Sequence, residues 1–353
     1  MRVARAATRS EAARLRRYWR SSSHGGLRLH SLIRRGLTAL IGIAAIVVVI
    51  LFLNPSRVGS ALTHFRLILI LPILVLSVVV YLLQGVRWHF LLRDVGTHLR
   101  LRDTVLINIA GQTITALVPL GDLTRAAFAS AATGTDFGAA AATVTVQELS
   151  YTLVLILAAL PAILALGYGL AAVVPVAIGI AAIVIVLTVS PIFCRAHDLV
   201  AHIPFLNRLL PAIRELQAQT VVLLHRRDAL ALTILDAARV VVAVTVFWLV
   251  LAGLEPGHIG WWQAAFVLTL STLGGAVSLL PGGVGANEAT VAALLIFLGV
   301  DYGVAGAAAI IQRGLLTGLS LLLGASAYAA IHRRLHLGGI FQLVTRRPAA
   351  SAA

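Results

Sequence analysis

Eight ionisable residues, Arg87, Asp122, Arg125, Glu148, Asp236, Arg239, Glu288 and Arg313, lie within or beside long apolar stretches of the chain. A charge taken to the centre of a bilayer costs about 2.5–3.5 kcal/mol on insertion scales, so each needs a partner or a task. Arg125 and Glu288 differ from the rest because each follows a Pro/Gly break between two apolar segments. At the first break Gly121 and Asp122 begin the returning segment, where Asp122 is expected to cap exposed backbone N–H groups. Arg125 follows one turn later, beside a positive helix end, and repels it unless a carboxylate or an anion arrives. Phosphate suits a guanidinium because the pairing is bidentate.

At the second break, Pro281-Gly-Gly-Val-Gly-Ala-Asn-Glu288 offers successive flexible N–H groups able to form an anion nest, with Asn287 and Glu288 at the helix start. The competing reading is a glycine turn whose acid caps the helix. Gly121, Asp122, Arg125, Gly282, Gly283, Gly285, Asn287, Glu288 and Arg313 therefore form the candidate anion-binding set. Glu148, Asp236, Arg239 and Arg87 read as structural pairs or coupling groups. Asp236 and Arg239, three apart on one helix face, are expected to pair with each other, Arg87 either pairs or reaches for the membrane surface, and Glu148 and Arg313 occupy comparable places facing each other or the breaks.

Other chemistry finds no footing. The glycines near Pro281 do not follow a strand, and the chain has no lysine to complete a phosphate-binding loop. No Ser/His/Asp set is discernible, Cys194 is the single cysteine, and no Cys/His spacing resembles a metal site. Neither a metal, a cofactor nor an enzymatic reaction is expected.

The elements that position these residues must be membrane helices. Of 353 residues 59% are hydrophobic and 12% charged, against roughly 25% charged in soluble domains. The net charge of +15 comes from 28 basic residues, all arginine. Ten of them fall within residues 1–35, the signature of a cytoplasmic amino terminus rather than of nucleic-acid binding. Arg333, Arg334, Arg346 and Arg347 place the carboxyl terminus on the same side. At about 20 residues per crossing, spans are expected at 36–53, 67–92, 137–166, 170–193, 229–252 and 303–330. The arginine-rich segments after the second and fourth spans are then cytoplasmic, and the segment from Arg57 to Arg66 is an outer loop. Residues 1–35 form a basic cytoplasmic segment, 36–331 the membrane domain and 332–353 a cytoplasmic tail.

Two regions, 104–132 and 262–299, read as helix, break and helix. The order span, hairpin, span occurs twice, and Trp88 precedes Pro119 by 31 residues while Trp248 precedes Pro281 by 33. Because the second span runs inward and the fifth outward, the units are inverted. The expected fold is an all-α polytopic bundle with two inverted repeats, each carrying a re-entrant helical hairpin whose tip reaches the midplane, as in many secondary transporters.

Residues 119–125, PLGDLTR, resemble the proline-led G-E-x-x-R element of the lysylphosphatidylglycerol synthase transmembrane-region family, and PGGVGANE at 281–288 resembles its P-G-G-x-G-x-x-E element. Asp122 stands where the glutamate is usual, and the acidic-basic-acidic pattern of the next span reduces here to Gln147-Glu148-Leu149. The resemblance spans roughly 35–335 and implies that Gly121, Asp122, Arg125, Pro281, Gly282, Gly283, Gly285, Glu288 and Arg313 are signature positions. Two-part members add a soluble aminoacyl-transferring domain; with 22 residues of the sequence after 331, lysyl transfer is not expected of this chain. The implied activity is flippase-like movement of a membrane lipid with an anionic head group in the bacterial inner membrane, with Arg125 and Arg313 on its phosphate. The alternatives are an accessory protein that presents lipid to a glycosyltransferase or lipid-synthesis enzyme, and an intramembrane enzyme using Glu148 or Glu288.

Overall fold

The structure is a computed structural model describing residues 55–115, 121–166, 178, 232–255, 257–278 and 283–335. Every regular element among them is helical: α1 (Pro55–Thr63), a 3-10 turn (Leu67–Leu69), α2 (Ile70–Asp94), α3 (Leu101–Thr115), α4 (Leu123–Thr133), α5 (Phe137–Ala165), α6 (Thr233–Leu254), α7 (Trp261–Val277), α8 (Ala286–Phe297) and α9 (Tyr302–Leu335). Four stretches are long and apolar enough to cross a membrane, Leu67–Asp94, Phe137–Ala165, Thr233–Leu254 and Tyr302–Ile331. They occupy four of the six expected spans. The other two, 36–53 and 170–193, and with them Cys194, lie outside the described residues, as do Pro119, Pro281 and Gly282.

Local chemistry sets the helix starts. Asp136 caps α5, its Oδ1 accepting the Gly138 and Ala139 N–H groups at 2.7 and 3.2 Å. Asp301 accepts the Gly303 N–H at 2.7 Å ahead of α9. The triplets Asp136-Phe-Gly and Asp301-Tyr-Gly thus open corresponding helices, a repeat that short motifs around the prolines do not reveal. One segment departs from expectation. The stretch after Asn54, read as an outer loop, contains α1, because Val58, Ala61 and Leu62 fall on one helical face and pack against Ala292 and Ala307.

The halves α2–α5 and α6–α9 share an order of contacts. In each, the first helix of the hairpin packs on the second, and the second packs on the following long helix. Each hairpin's first helix also packs on the last helix of the other half: α3 on α9, and α7 on α5. Even the cross-links match, since the Thr113 hydroxyl donates to the Ser320 carbonyl at 2.7 Å and the Thr269 hydroxyl to the Leu155 carbonyl at 3.0 Å. The long helices α2 and α6 pack together. Small residues allow the close approach: Ala139–Ala142 in α5 and Ala305–Ala309 in α9 are alanine-rich and buried against neighbouring helices. Leu71, Leu157, Ile234 and Leu322 point outward, as side chains facing lipid should.

Gly121 is a point of close approach between the two helices of the first hairpin. A Cβ there would lie 2.6 Å from the Thr115 backbone nitrogen and 2.8 Å from the Ile114 carbonyl oxygen. Gly121→Ala is expected to lower stability by about 1–3 kcal/mol through overpacking, whereas Gly59→Ala, with nothing within 4 Å, should be neutral or slightly stabilising. Thermal melts of the two variants in detergent check this, and equal melting temperatures would refute the tight hairpin.

Candidate functional site

The charges gather on the inner faces of α2, α4, α5 and α6. Arg125 of α4 is completely buried. It donates from Nη1 to Asn108 Oδ1 at 2.8 Å and Gln147 Oε1 at 3.1 Å, and from Nη2 to Glu148 Oε1 at 2.6 Å. Its guanidinium also lies 5.7 Å from the Trp88 ring. Glu148 accepts in addition from Gln84 Nε2 at 3.1 Å and faces Arg239 Nη1 at 3.7 Å, while Arg239 lies 3.9 Å over the Tyr151 ring. Beyond it, Arg87 pairs with Asp236 at 2.5 Å, and the Ser150 hydroxyl donates to the same carboxylate at 2.6 Å.

This geometry revises several expectations. Asp236 and Arg239 do not pair with each other: turned along one face of α6, they reach α2 and α5 respectively. Arg87 does not seek the surface, since its side chain is 2% exposed. Arg125 finds a carboxylate within the protein rather than waiting for an anion. Of the two places expected for Glu148 and Arg313, facing each other or the breaks, they take the second: Glu148 meets Arg125 after the first break, and Arg239 besides, while Arg313 meets Glu288 after the second. Asp122 does not cap α4. It is itself in helical conformation, its Oδ1 accepts the Thr115 hydroxyl at 3.3 Å, and the Gly121 carbonyl takes the Thr124 N–H instead.

At the second break Gly283 and Gly285 adopt φ of +65° and +86°, in the left-handed region that favours glycine. Glu288 Oε2 accepts the Gly285 N–H at 2.6 Å, and its Oε1 lies 3.3 Å from Arg313 Nε. Of the two readings of this acid, the cap is the one present in the geometry. The halves therefore carry corresponding ion pairs of opposite polarity: Arg125 on α4 with Glu148 on α5, and Glu288 on α8 with Arg313 on α9. Each of the four arginines faces an acid: Arg87 meets Asp236, Arg125 and Arg239 share Glu148, with Asp122 Oδ1 a further 3.9 Å from Arg125 Nη2, and Arg313 meets Glu288. Glu288→Gln keeps an acceptor for Gly285 but removes the charge opposite Arg313. It is expected to leave a folded protein, while Glu288→Ala loses a further 1 kcal/mol or so with the cap. Melting temperatures of the two variants that coincide would refute the capping role.

Between the two breaks lies a cavity of about 780 Å³. Gly121, Asp122 and Thr115 line it from the first hairpin, Gly275, Gly283 and Asn287 from the second, and Val80, Val246, Phe247 and Leu316 give it an apolar wall from the long helices. A side chamber of about 170 Å³ shares Tyr81, Gln112, Thr115, Asn287, Gln312 and Leu316 with it and adds Arg313. Among the described residues lining either space, Arg313 is the only base and Asp122 the only acid. Arg125 lies behind this wall. The amides Gln84, Asn108, Gln112, Gln147 and Gln312 were not singled out from sequence, although buried amides in apolar helices must find partners and so mark an interior polar surface.

Membrane-length helices around a cavity with one apolar wall and one polar end define an integral membrane protein. Residues 39–324 match the family described as the lysylphosphatidylglycerol synthase TM region, and the chain belongs to that family, a membrane protein linked to lipid handling. The matched region is the family's membrane part and not a catalytic transferase domain. No curated protein matches the chain.

Proposed function

We propose that the protein moves a lipid with a phosphate-bearing, anionic head group across the bacterial cytoplasmic membrane. The head group passes through the side chamber by Arg313, and the chains follow the apolar wall. The observation that carries this reading is the cavity of about 780 Å³ framed by both motif segments. Protein interiors are close-packed and rarely keep voids much larger than a water, so a space of this size with an apolar wall and a polar end suits an amphiphile.

In this reading the halves are inverted repeats and the hairpins re-entrant. The exchanged helix contacts and the paired threonine bonds support the repeat. The lengths of α4 and α8 support the hairpins: 11 and 12 residues extend about 17 and 18 Å at 1.5 Å per residue, short of a hydrocarbon core of about 30 Å. Both termini are cytoplasmic, with 1–35 a basic segment, 36–331 the membrane domain and 332–353 a tail, because arginine is retained on that side. Val284→Cys, in a background where Cys194 is serine, is expected to resist an impermeant thiol reagent applied from the cytoplasmic face. Free reaction there would make the hairpins full crossings.

The function itself is tested by reconstituting the purified chain in liposomes with labelled lipids, scored one lipid at a time. Movement of a phosphate-bearing lipid above protein-free liposomes is expected. Binding without movement would overturn transport and favour an accessory protein that presents lipid to a glycosyltransferase or lipid-modifying enzyme.

A further inference from the structure

Six charges on α2 and α4–α6 form one set. Arg87 meets Asp236, Arg125 and Arg239 share Glu148, and Asp122 Oδ1 lies 3.9 Å from Arg125 Nη2. Three bases face three acids, so the set is neutral only while all three acids are ionised. The acids are not held alike. Asp236 is buried directly against Arg87 and takes the Ser150 hydroxyl as well, while Glu148 accepts from Arg125 at 2.6 Å and from Gln84 at 3.1 Å. Asp122 is held most loosely: its bond from the Thr115 hydroxyl is 3.3 Å long, and its side chain is 40% exposed. It is also the one acid among the described residues that line the cavity. The groups that face it are Arg125 of α4, Thr115 of α3, Glu148 of α5 and Arg239 of α6.

Two carboxylates that share one base favour a proton on one of them, and the proton settles where the pairing is weaker. Glu148 and Asp122 share Arg125 Nη2 in this way, at 2.6 and 3.9 Å. Thr115 lines both the cavity and the side chamber, so an anion held there stands close to the carboxylate that Thr115 bonds. Such an anion competes with Asp122 for the positive charge of the set, and a proton on Asp122 leaves that charge to the anion. We propose that Asp122 is a proton-binding site coupled to the cavity: its carboxylate takes one proton from water as an anionic head group enters and returns it as the head group leaves. This rests on the reading that a head group enters the cavity, and adds the ion that binds with it. The coupling is reciprocal, so the proton strengthens anion binding by the factor by which the anion strengthens proton binding.

The test is calorimetric titration of the full chain in detergent with dihexanoyl phosphatidylmethanol, between about pH 5 and 8, above the ordinary range of an exposed carboxyl. This phosphodiester keeps its single negative charge throughout, so the pH dependence belongs to the protein. A group whose proton affinity rises on binding gives full affinity at the acid end, lost as pH rises. Wild-type affinity is therefore expected to fall with rising pH, by up to about tenfold per unit, the limit for one linked proton. Titrations in two buffers of different ionisation enthalpy should show uptake approaching one proton per lipid in the same window. Asp122→Asn fixes the group in its neutral form. It should bind independently of pH at the wild-type acid-end affinity, and so more tightly than wild type at the alkaline end, with melting temperatures confirming folded protein. Glu288→Gln, whatever its affinity, should keep the pH dependence. Flat wild-type affinity without proton uptake overturns the proposal, as does undiminished pH dependence in Asp122→Asn. Should Asp122→Asn fail to fold, wild-type proton uptake, read beside that of Glu288→Gln, decides the matter. Proton-linked binding by a protein that moves no lipid in liposomes would sink the transport reading and leave the proton site standing. Movement of lipid by a protein whose binding ignores pH would do the reverse.

Discussion

Replacing Asp236 by alanine is expected to lower stability by about 3–5 kcal/mol, the penalty for leaving one member of a buried ion pair without the other. Arg87 and Asp236 have side chains 2% and 1% exposed, so water cannot replace the lost carboxylate, and the Ser150 hydroxyl loses its acceptor as well. The double substitution Arg87→Met, Asp236→Leu, combined with Ser150→Ala, removes the charges together and should recover most of the loss, because apolar side chains of similar volume often replace a buried pair at little cost. Thermal melting in detergent followed by size-exclusion fluorescence reads both. Wild-type stability for Asp236→Ala would show that the pair is not the clamp between α2 and α6. If the triple variant folds but transports nothing, the pair serves movement as well as folding.

Arg313→Ala is expected to weaken binding of phosphate-bearing lipids roughly 10- to 150-fold, the range for losing about 1.5–3 kcal/mol of charged hydrogen bonding. The side chain lines the chamber, and Glu288 keeps its bond to the Gly285 N–H after the guanidinium is gone, so the helix start survives. Arg313→Lys should retain part of the affinity, since it keeps the charge opposite Glu288 but not the planar fork. Arg125→Lys provides the contrast. Arg125 is buried behind the cavity wall on Asn108, Gln147 and Glu148, so its replacement should depress the melting temperature more than the lipid affinity of the folded fraction. Normal lipid affinity in Arg313→Ala, measured by titration in detergent, would remove Arg313 from the site.

The apolar runs that became α2, α5, α6 and α9 were legible in sequence because hydropathy over about 20 residues is a strong signal. So were the two breaks, where Gly121 and Gly283 mark chain reversals. What stayed hidden depends on helix rotation and on contacts between distant segments. Spacing reveals that Asp236 and Arg239 share a face of α6, but not that the face turns each toward a different helix. The same limit applies to Arg125, whose partner Glu148 lies on the next helix. Asp122 at a helix start reads as a cap, yet the chain enters α4 already helical and sends the carboxylate toward Thr115 and the cavity. The amides escaped notice because attention went to charged side chains and an amide carries no charge, although Gln84 accepts from both Asn108 and Gln112 and supports Glu148. Helix α1 was missed because its segment joins two expected spans and, at nine residues, is too short to stand out in a hydropathy reading.

The central claim is that a lipid occupies the cavity between the two breaks. It is tested most directly with a phosphate-bearing lipid carrying a photoactivatable group partway along one chain, bound to the protein in liposomes, irradiated, and mapped by peptide mass spectrometry. The account predicts adducts on the cavity wall, at Val80, Val246, Phe247 or Leu316, lost when an excess of unlabelled lipid competes and reduced in Arg313→Ala. Adducts confined to outward residues such as Leu157, Ile234 and Leu322, unchanged by competitor and by Arg313→Ala, would contradict it.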